Sequence, residues 1–412
     1  MQAKAAGHPR AEASAWRATL SGCCASLVGV GLGRFAYSPL IPPLIAANWF
    51  SPSDAAYLGA ANLVGYLAGA LCARWATRLA PAALVLRAMM VLATAAFFAC
   101  AEPWSFLWFF VWRFAAGLSG GVLMVLAAPT VLPHVPASRR GLTSGAIFMG
   151  VGLGVAASGT LVPLLLRWGL VETWCALGTL SLALTALGWG GWPGQQASPA
   201  AAAPATLRPH PTGPALGLKA LYLEYGLNAV GLVPHMVFLV DFVARSLGRG
   251  LAAGALCWVL FGIGAMIGPV LAGHIADRIG FRLALRFGFV VQVAAVALLA
   301  FTAASGWLAV SSLLVGLFVP GVVPLALGRV QELVVHDADR QKAAWSTATA
   351  AFALGQAAAA YGFSFLFAHT GSYPPLFGLG AIAIALALII DVAVAVLAGQ
   401  KAAYAATRLD GD

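Results

Sequence analysis

Five ionisable side chains interrupt stretches that are otherwise apolar: Arg34, Arg113, Glu224, His235 and Asp391. A guanidinium near the centre of a bilayer costs at least about 3 kcal/mol on insertion scales. Arg34 and Arg113 therefore demand a polar interior, a water-filled cavity or an acidic partner. Within the apolar stretches of the first half no carboxylate lies away from the ends, Asp54 and Glu172 standing at the start of theirs. The acceptors open to Arg34 are backbone carbonyls freed by a broken helix, Glu224 from the second half, or an anionic cargo. Binding and a structural tie are both open for Arg34, and for Arg113 the structural tie is the expectation. Carrying a proton needs a group whose charge swings with its surroundings. Glu224 and His235 are the candidates, since imidazole titrates near neutrality. Asp391 is a third, with pairing to a neighbouring helix as its alternative. Asp241, near the end of the same stretch as Glu224, is expected in solvent.

The elements that would hold these groups follow from hydropathy. Of 412 residues 61% are hydrophobic and 9% charged, with a mean hydropathy of +0.90, far outside soluble globular usage. Crossing a membrane takes about 20 mostly apolar residues. The chain offers twelve such stretches, near 18–46, 54–73, 82–101, 104–132, 143–166, 170–192, 217–243, 251–273, 284–303, 306–330, 343–368 and 374–398. Alternating strand patterns are missing, which excludes an outer-membrane barrel. In span one Arg34 stands sixteen residues beyond Ala18, and Pro39, Pro42 and Pro43 follow within two turns. The prolines free carbonyls that only a protein interior or a cavity can satisfy. The N-terminal run is too long for a cleaved signal peptide and carries Arg34.

Charge placement orients the chain. With the N-terminus in the cytoplasm, 18 of the 23 lysines and arginines fall on the cytoplasmic side. Arg167, Arg245 and Arg249 fall opposite, and Arg34 and Arg113 lie within spans. That bias puts both termini inside. The net charge of +10 is then a membrane signature, and no basic run points to nucleic acid. The stretch from Trp192 to Leu216 is rich in Pro, Ala and Gly and reads as a flexible linker. The expected organisation is a tail at 1–17, six helices at 18–192, a cytoplasmic linker at 193–216, six helices at 217–399 and a tail at 400–412. All six cysteines fall in or beside apolar segments without ligand spacing and read as small buried side chains.

Helical faces select further residues. Glu224, Asn228, Gly231 and His235 recur at offsets 0, 4, 7 and 11 and share one stripe. Arg34 clusters with Tyr37 and Ser38, Asn62 aligns with Tyr66 and Gly69, and Trp345 with Thr349 and Gln356. Arg113 shares its face with Gly117 and Gly120, small residues that admit a neighbouring helix. The halves also read as copies. A shift of 204 lays Gly69 on Gly273, Arg74 on Arg278, Arg78 on Arg282 and Gly117 on Gly321.

The run GHIADRIGFR, Gly273 to Arg282, resembles the loop signature of the major facilitator superfamily. Trp112 to Gly121 is similar to its fourth-helix motif through Arg113 and Gly117. Together with GLGRFAYSPLIPPLI in span one, GVGLG in span five and Gly355-Gln356 in span eleven, these look like the YbfB/YjiJ branch of bacterial inner-membrane transporters. The resemblance implies an all-α fold of two pseudo-symmetric six-helix bundles and a cavity lined by the first, fourth, seventh and tenth helices. Arg34, Arg113 and Glu224 lie on three of those. The cavity set is Arg34, Tyr37, Asn62, Tyr66, Arg113, Glu224, Asn228, His235 and Gln356. The gating loop is Gly273, Asp277, Arg278, Gly280 and Arg282, with the glycines giving tight turns and Asp277 seated at a helix N-terminus. Ala73 and Ala76 replace the acid and a glycine in the first-half copy, so the latch is expected to be stronger in the second half.

The expected activity is secondary transport of a small organic solute by alternating access, with protons as the coupling ion, lipid as surroundings and a monomer as the unit. The alternative is a transporter-like sensor that binds without moving its ligand. Gly117 to Gly120 also matches the GxSG motif of rhomboid-type serine proteases. A nucleophilic serine needs a histidine within reach, and His134 lies about 22 Å from Ser119 along the same helix. Walker loops, GxGxxG patterns and metal-ligand clusters are missing, so no cofactor, metal or catalysis is expected.

Overall fold

The computed structural model describes residues 8–135, 140–193, 215–335 and 337–409. Most of the expected linker lies outside the described residues, as do Arg139, Arg208 and the side chains of Arg74 and Asp277. Among the described residues eleven helices are long and apolar enough to cross a membrane, with a twelfth crossing if two more, bent by 40° at a break, count as one span. Spans one to six are Ala15–Ala46, Pro52–Ala73, Ala82–Ala99, Phe106–His134, Gly145–Leu165 and Leu170–Gly188. Span seven is the bent pair Leu216–Val237 and Leu239–Ser246. Spans eight to twelve are Gly250–Ala276, Phe281–Phe301, Ser305–Leu333, Ala343–Thr370 and Pro374–Leu397. Helix runs further at both ends than hydropathy indicates, beginning at His8 and ending at Leu409. Polar residues there suit a helix outside hydrocarbon.

Starts are set by local chemistry. Ser51 accepts from the Asp54 amide with Pro52 in the first turn, and Ser105 accepts from the Trp108 amide. Span two packs on four, one on five and six, and three on four and six. The second half repeats this, eight on ten, seven on eleven and twelve, nine on ten and twelve. Between the halves, five lies on eight and two on eleven.

Glycine makes the closest of these contacts possible. A methyl built at Gly65, Gly69 or Gly117 would lie within 2.1 Å of the carbonyl oxygen of Phe114, Leu118 or Asn62. In the second half Gly264, Gly268 and Gly316 meet the carbonyls of Leu313, Leu317 and Phe261 within 2.2 Å. Corresponding residues differ by 199. The repeat register of 204 is therefore wrong inside the membrane, and Gly117 corresponds to Gly316 rather than Gly321. The loop match misled because it aligned arginines across a turn: Arg78 is within a helix and Arg282 follows the break at Gly280. Gly117→Val should abolish folded protein, seen as loss of the monodisperse peak in detergent. The clash is with backbone, so it exceeds the usual 1–3 kcal/mol or so of an overpacked core.

Span one is interrupted. Leu27–Leu32 is π-helical, Gly33 to Ala36 turn, and helix resumes over Tyr37–Ala46 with Pro42 and Pro43 inside it. Gly33 and Phe35 amides reach back five residues, to the carbonyls of Val28 and Val30. Such bulges cluster at functional sites. The two GVGLG runs, in spans one and five, pack on each other: Gly31 meets the Gly150 carbonyl and the Gly154 backbone. Cys72 is exposed, against the expectation that every cysteine is buried.

Candidate functional site

A cavity of about 430 Å³ lies between the halves, lined from spans one, two, four, five, seven, ten and eleven. It reaches past Pro129 and Leu132 late in span four, Leu327 late in span ten and Trp345 early in span eleven. Those positions all lie toward the end of the bundle that carries the chain termini. Arg34 stands at the opposite, inner limit of the cavity. One Nη donates to Gln356 Oε1 at 2.9 Å and touches Met236 Sδ at 3.8 Å. The guanidinium lies 5.4 Å from the Tyr66 ring centroid and 5.2 Å from that of Phe35, within cation–π range. The contact joins the halves, with Arg34 from span one and Gln356 and Met236 from spans eleven and seven. Arg34 has no ion-pair partner among the described residues, and of the acceptors open to it from the sequence Glu224 is not the one it meets.

Beyond Arg34 the path is shut. Phe35 meets Trp258 and Phe261 at 6.0 and 6.3 Å, and those two rings stack at 4.9 Å. Ser38 Oγ donates to the Met236 carbonyl, so the turn after Arg34 is tied to span seven. The cavity runs toward the terminal end and stops at this cluster on the other side.

Arg113 does not line the cavity. It is 3% exposed, donates to the Gly33 carbonyl at 2.9 Å and lies 4.1 Å from the Tyr37 ring centroid. Asn62 bridges the same carbonyl and that of Arg113, at 3.4 and 3.2 Å. Together these residues satisfy the backbone where span one breaks, which is why two polar residues are buried there. Tyr37 itself donates to the Ala55 carbonyl at 2.9 Å. Tyr37, Asn62 and Arg113 therefore hold Arg34 in place from behind.

The stripe of span seven is real but faces away from the cavity. Asn228 donates to Gln292 of span nine at 2.7 Å, Gly231 packs on Gly380 and Ile384 of span twelve, and His235 Nε2 lies 2.8 Å from Ser311 Oγ of span ten. These residues form a polar seam inside the second bundle, so Glu224, Asn228 and His235 are corrected from cavity lining to bundle interior. Ser311 gives its own proton to the Ala295 carbonyl, so His235 Nε2 is the donor. His235 Nδ1 is buried without a partner, and a second proton there would find no acceptor. Glu224 is 3% exposed, without hydrogen bond or ion pair among the described residues. The charges nearest to act on it are Asp391, Arg329, Arg286 and Arg282. Asp391 pairs with Arg286 Nε, with Arg282 at 4.0 Å. Asp241, expected in solvent, is buried and held by the Tyr373 hydroxyl and Arg245.

At the terminal end the gating run becomes a single-residue turn. Helix ends at Ile279, Gly280 takes φ +83°, and helix restarts at Phe281. Gly280 is in the region that favours glycine, whereas Gly273 is mid-helix with open space beside it and makes no turn. Asp277 lies in the last turn of its helix, not at an N-terminus. Glu332 Oε1 accepts from the Phe281 amide at 3.1 Å, and Arg329 meets Glu332 at 2.8 Å. Arg278 is exposed. Among the described residues the ion pairs of this end lie in the second half, on Asp391 and Glu332.

Of the expected cavity residues, Arg34, Tyr66 and Gln356 line it, with Trp345 and Thr349 from the same helical face as Gln356. Met236, Tyr225 and Phe352 were not legible, because an aromatic or sulfur face reads like ordinary core. Ser119 bonds the Ala116 carbonyl and His134 the Thr130 carbonyl, each within its own helix, so no nucleophile–base pair forms.

A family model described as "Uncharacterised MFS-type transporter YbfB" matches residues 26–392. Among solved structures the chain is similar to a D-xylose-proton symporter, 17% identical with a TM-score of 0.71, covering 91% of this chain and 97% of that one. At that identity the likeness is one of fold. No curated protein matches.

Proposed function

Since this chain belongs to the family of uncharacterised MFS-type transporters described by YbfB, we propose that it moves a small organic solute by alternating access, coupled to protons, across a bacterial inner membrane. Both termini are cytoplasmic in this reading, supported by the lysine and arginine bias. One observation carries it: a positive group at the closed end of a cavity of about 430 Å³ enclosed between two repeated bundles. The solute meets Arg34, the halves rock about it, and the contacts of Ser38, Phe35, Trp258 and Phe261 part as the terminal end closes. The solute presents an acceptor to Arg34, and an anion is the favoured form. The chain acts as a monomer with lipid around it.

Coupling is assigned to Glu224. His235 has no acceptor for a second proton, and Asp391 is already paired with Arg286. The arginines beside Asp391 are the latch of the terminal end. Asp391→Asn leaves Arg286 and Arg282 facing no partner carboxylate on span twelve, and because both arginines keep part of their surface in water the loss is about 1 kcal/mol rather than that of a buried pair. It should lower the melting temperature in detergent, measured by intrinsic fluorescence.

Counterflow in liposomes tests the reading as a whole. Liposomes that carry the purified protein and are preloaded with a solute should take up its labelled form. Binding without flux would identify a sensor instead and overturn transport.

A further inference from the structure

We propose that the cavity takes an amphipathic monoanion, one carboxylate on an otherwise apolar body, and that its carboxylate replaces Gln356 on Arg34. This deepens the transport reading of the same cavity and rests on it.

Arg34 is the one ionised side chain among the described lining residues, and no Asp or Glu lines the space with it. The charge acting on it from nearby is a second cation, Arg113. The apex thus presents one guanidinium to the cavity, with a second buried behind it and no carboxylate. Gln356 offers Arg34 a dipole at 2.9 Å, not a charge. Nε and the other Nη of Arg34 make no hydrogen bond among the described residues and are not sealed from the cavity. A guanidinium presents a fork that fits a carboxylate with two parallel bonds, and an uncompensated cation in a low-dielectric site rewards an anion over any neutral acceptor.

The rest of the cavity sets the body. Its walls are Val30, Phe148, Val151, Val319, Val323 and Phe352, which give an apolar tail or ring a dry setting. A second carboxylate would meet no second cation there. A sugar would need several convergent donors and acceptors, whereas of the other polar side chains in the lining Gln356, Tyr66 and Tyr225 stand at the Arg34 end and Trp345, Ser346 and Thr349 lie two to three turns away along span eleven. The volume of about 430 Å³ lies within the range of small-molecule sites. Because Gln356 and Arg34 come from different halves, an anion that takes the place of Gln356 also removes a tie between them. Occupancy and the relation of the halves are thereby linked at one atom pair.

Isothermal titration on the purified full chain uses octanoate and benzoate against octanamide, phthalate and D-xylose. The monoanions should bind, and the amide and the sugar should bind roughly ten- to hundredfold more weakly, as expected when one charged hydrogen bond is lost, with the dianion weaker too because its second carboxylate is desolvated without a partner. Gln356→Glu places an internal carboxylate on Arg34 and should remove octanoate binding while raising the melting temperature. Gln356→Ala, which removes the competitor without adding charge, should bind octanoate more tightly. Octanamide binding as well as octanoate, or Gln356→Glu binding octanoate like the wild type, would overturn the proposal. Failure of the transport reading looks different. In that case Val151→Trp, which fills the cavity, and the wild type both give no counterflow with any probe. If Val151→Trp stops counterflow of a neutral probe that the wild type moves, transport stands and the anion falls.

Discussion

Glu224→Gln should leave counterflow in place and remove accumulation driven by a pH gradient. The glutamine keeps the size and most of the packing of the acid but carries no exchangeable charge. Glu224 is enclosed beside Asp391, and the arginines that could neutralise it are engaged elsewhere, Arg282 and Arg286 by Asp391 and Arg329 by Glu332. A lone carboxyl that is enclosed in one arrangement of the halves and wetted in the other exchanges a proton between the two settings. With one proton per solute, a gradient of one pH unit can support at most about tenfold accumulation, since a unit is worth about 1.4 kcal/mol. The wild type should approach that limit and the variant should stop at equal concentrations. Accumulation by the variant to the wild-type level would place the proton site elsewhere.

Arg113→Met should be damaging although it lies away from the cavity, short of the backbone clash of Gly117→Val. The methionine removes the donor to the Gly33 carbonyl and the cation beneath the Tyr37 ring. Asn62, at 3.4 Å, is then the carbonyl's remaining partner. An acceptor left short of donors in a buried site costs about 1–3 kcal/mol, and loss of the cation–π contact adds up to about 2 kcal/mol more. The expected result is a lower melting temperature and a poor yield of folded protein. Arg113→Lys should not rescue it, because an ammonium cannot both reach the carbonyl and lie flat on the ring. Arg34→Gln should show the opposite pattern, a normal melting temperature with solute binding lost. If both variants lost stability equally and bound equally well, the division between a positioning and a binding arginine would fail.

These two arginines mark how far a reading of the chain alone can go. Both are costly in apolar surroundings, so each had to have a reason, and the reasons differ. Nothing in the neighbouring residues separates them, since each sits among glycines and aromatics. Arg34 is beside a break that borders open space, whereas Arg113 reaches across to repair that break. Span seven teaches the same lesson from the other side. Glu224, Asn228 and His235 do share one face, as their spacing requires, yet that face meets spans nine, ten and twelve. Tyr225 and Met236, on another face of the same helix, are the ones at the cavity and at Arg34. Helical periodicity reports which residues point together and is silent on what they point at. The repeat register shows a further limit. Matching arginines implied 204, but packing of glycine on carbonyl sets 199, because the close approach of spans two and four tolerates no other residue.

By itself the amino-acid order determines the crossings and the demand for a polar interior around Arg34, and gives their direction and the division into two bundles as expectations. Those features depend on local solvation: the free energy of an apolar residue in lipid, or of a charge near it, hardly depends on distant parts of the chain. The tertiary structure alone decides how each helix is rotated, that Gln356 and not Glu224 meets Arg34, and that the cavity opens toward the terminal end. Those depend on which small residues let two backbones touch and which side chain is left to fill the gap, and that is a property of pairs of helices far apart in the chain.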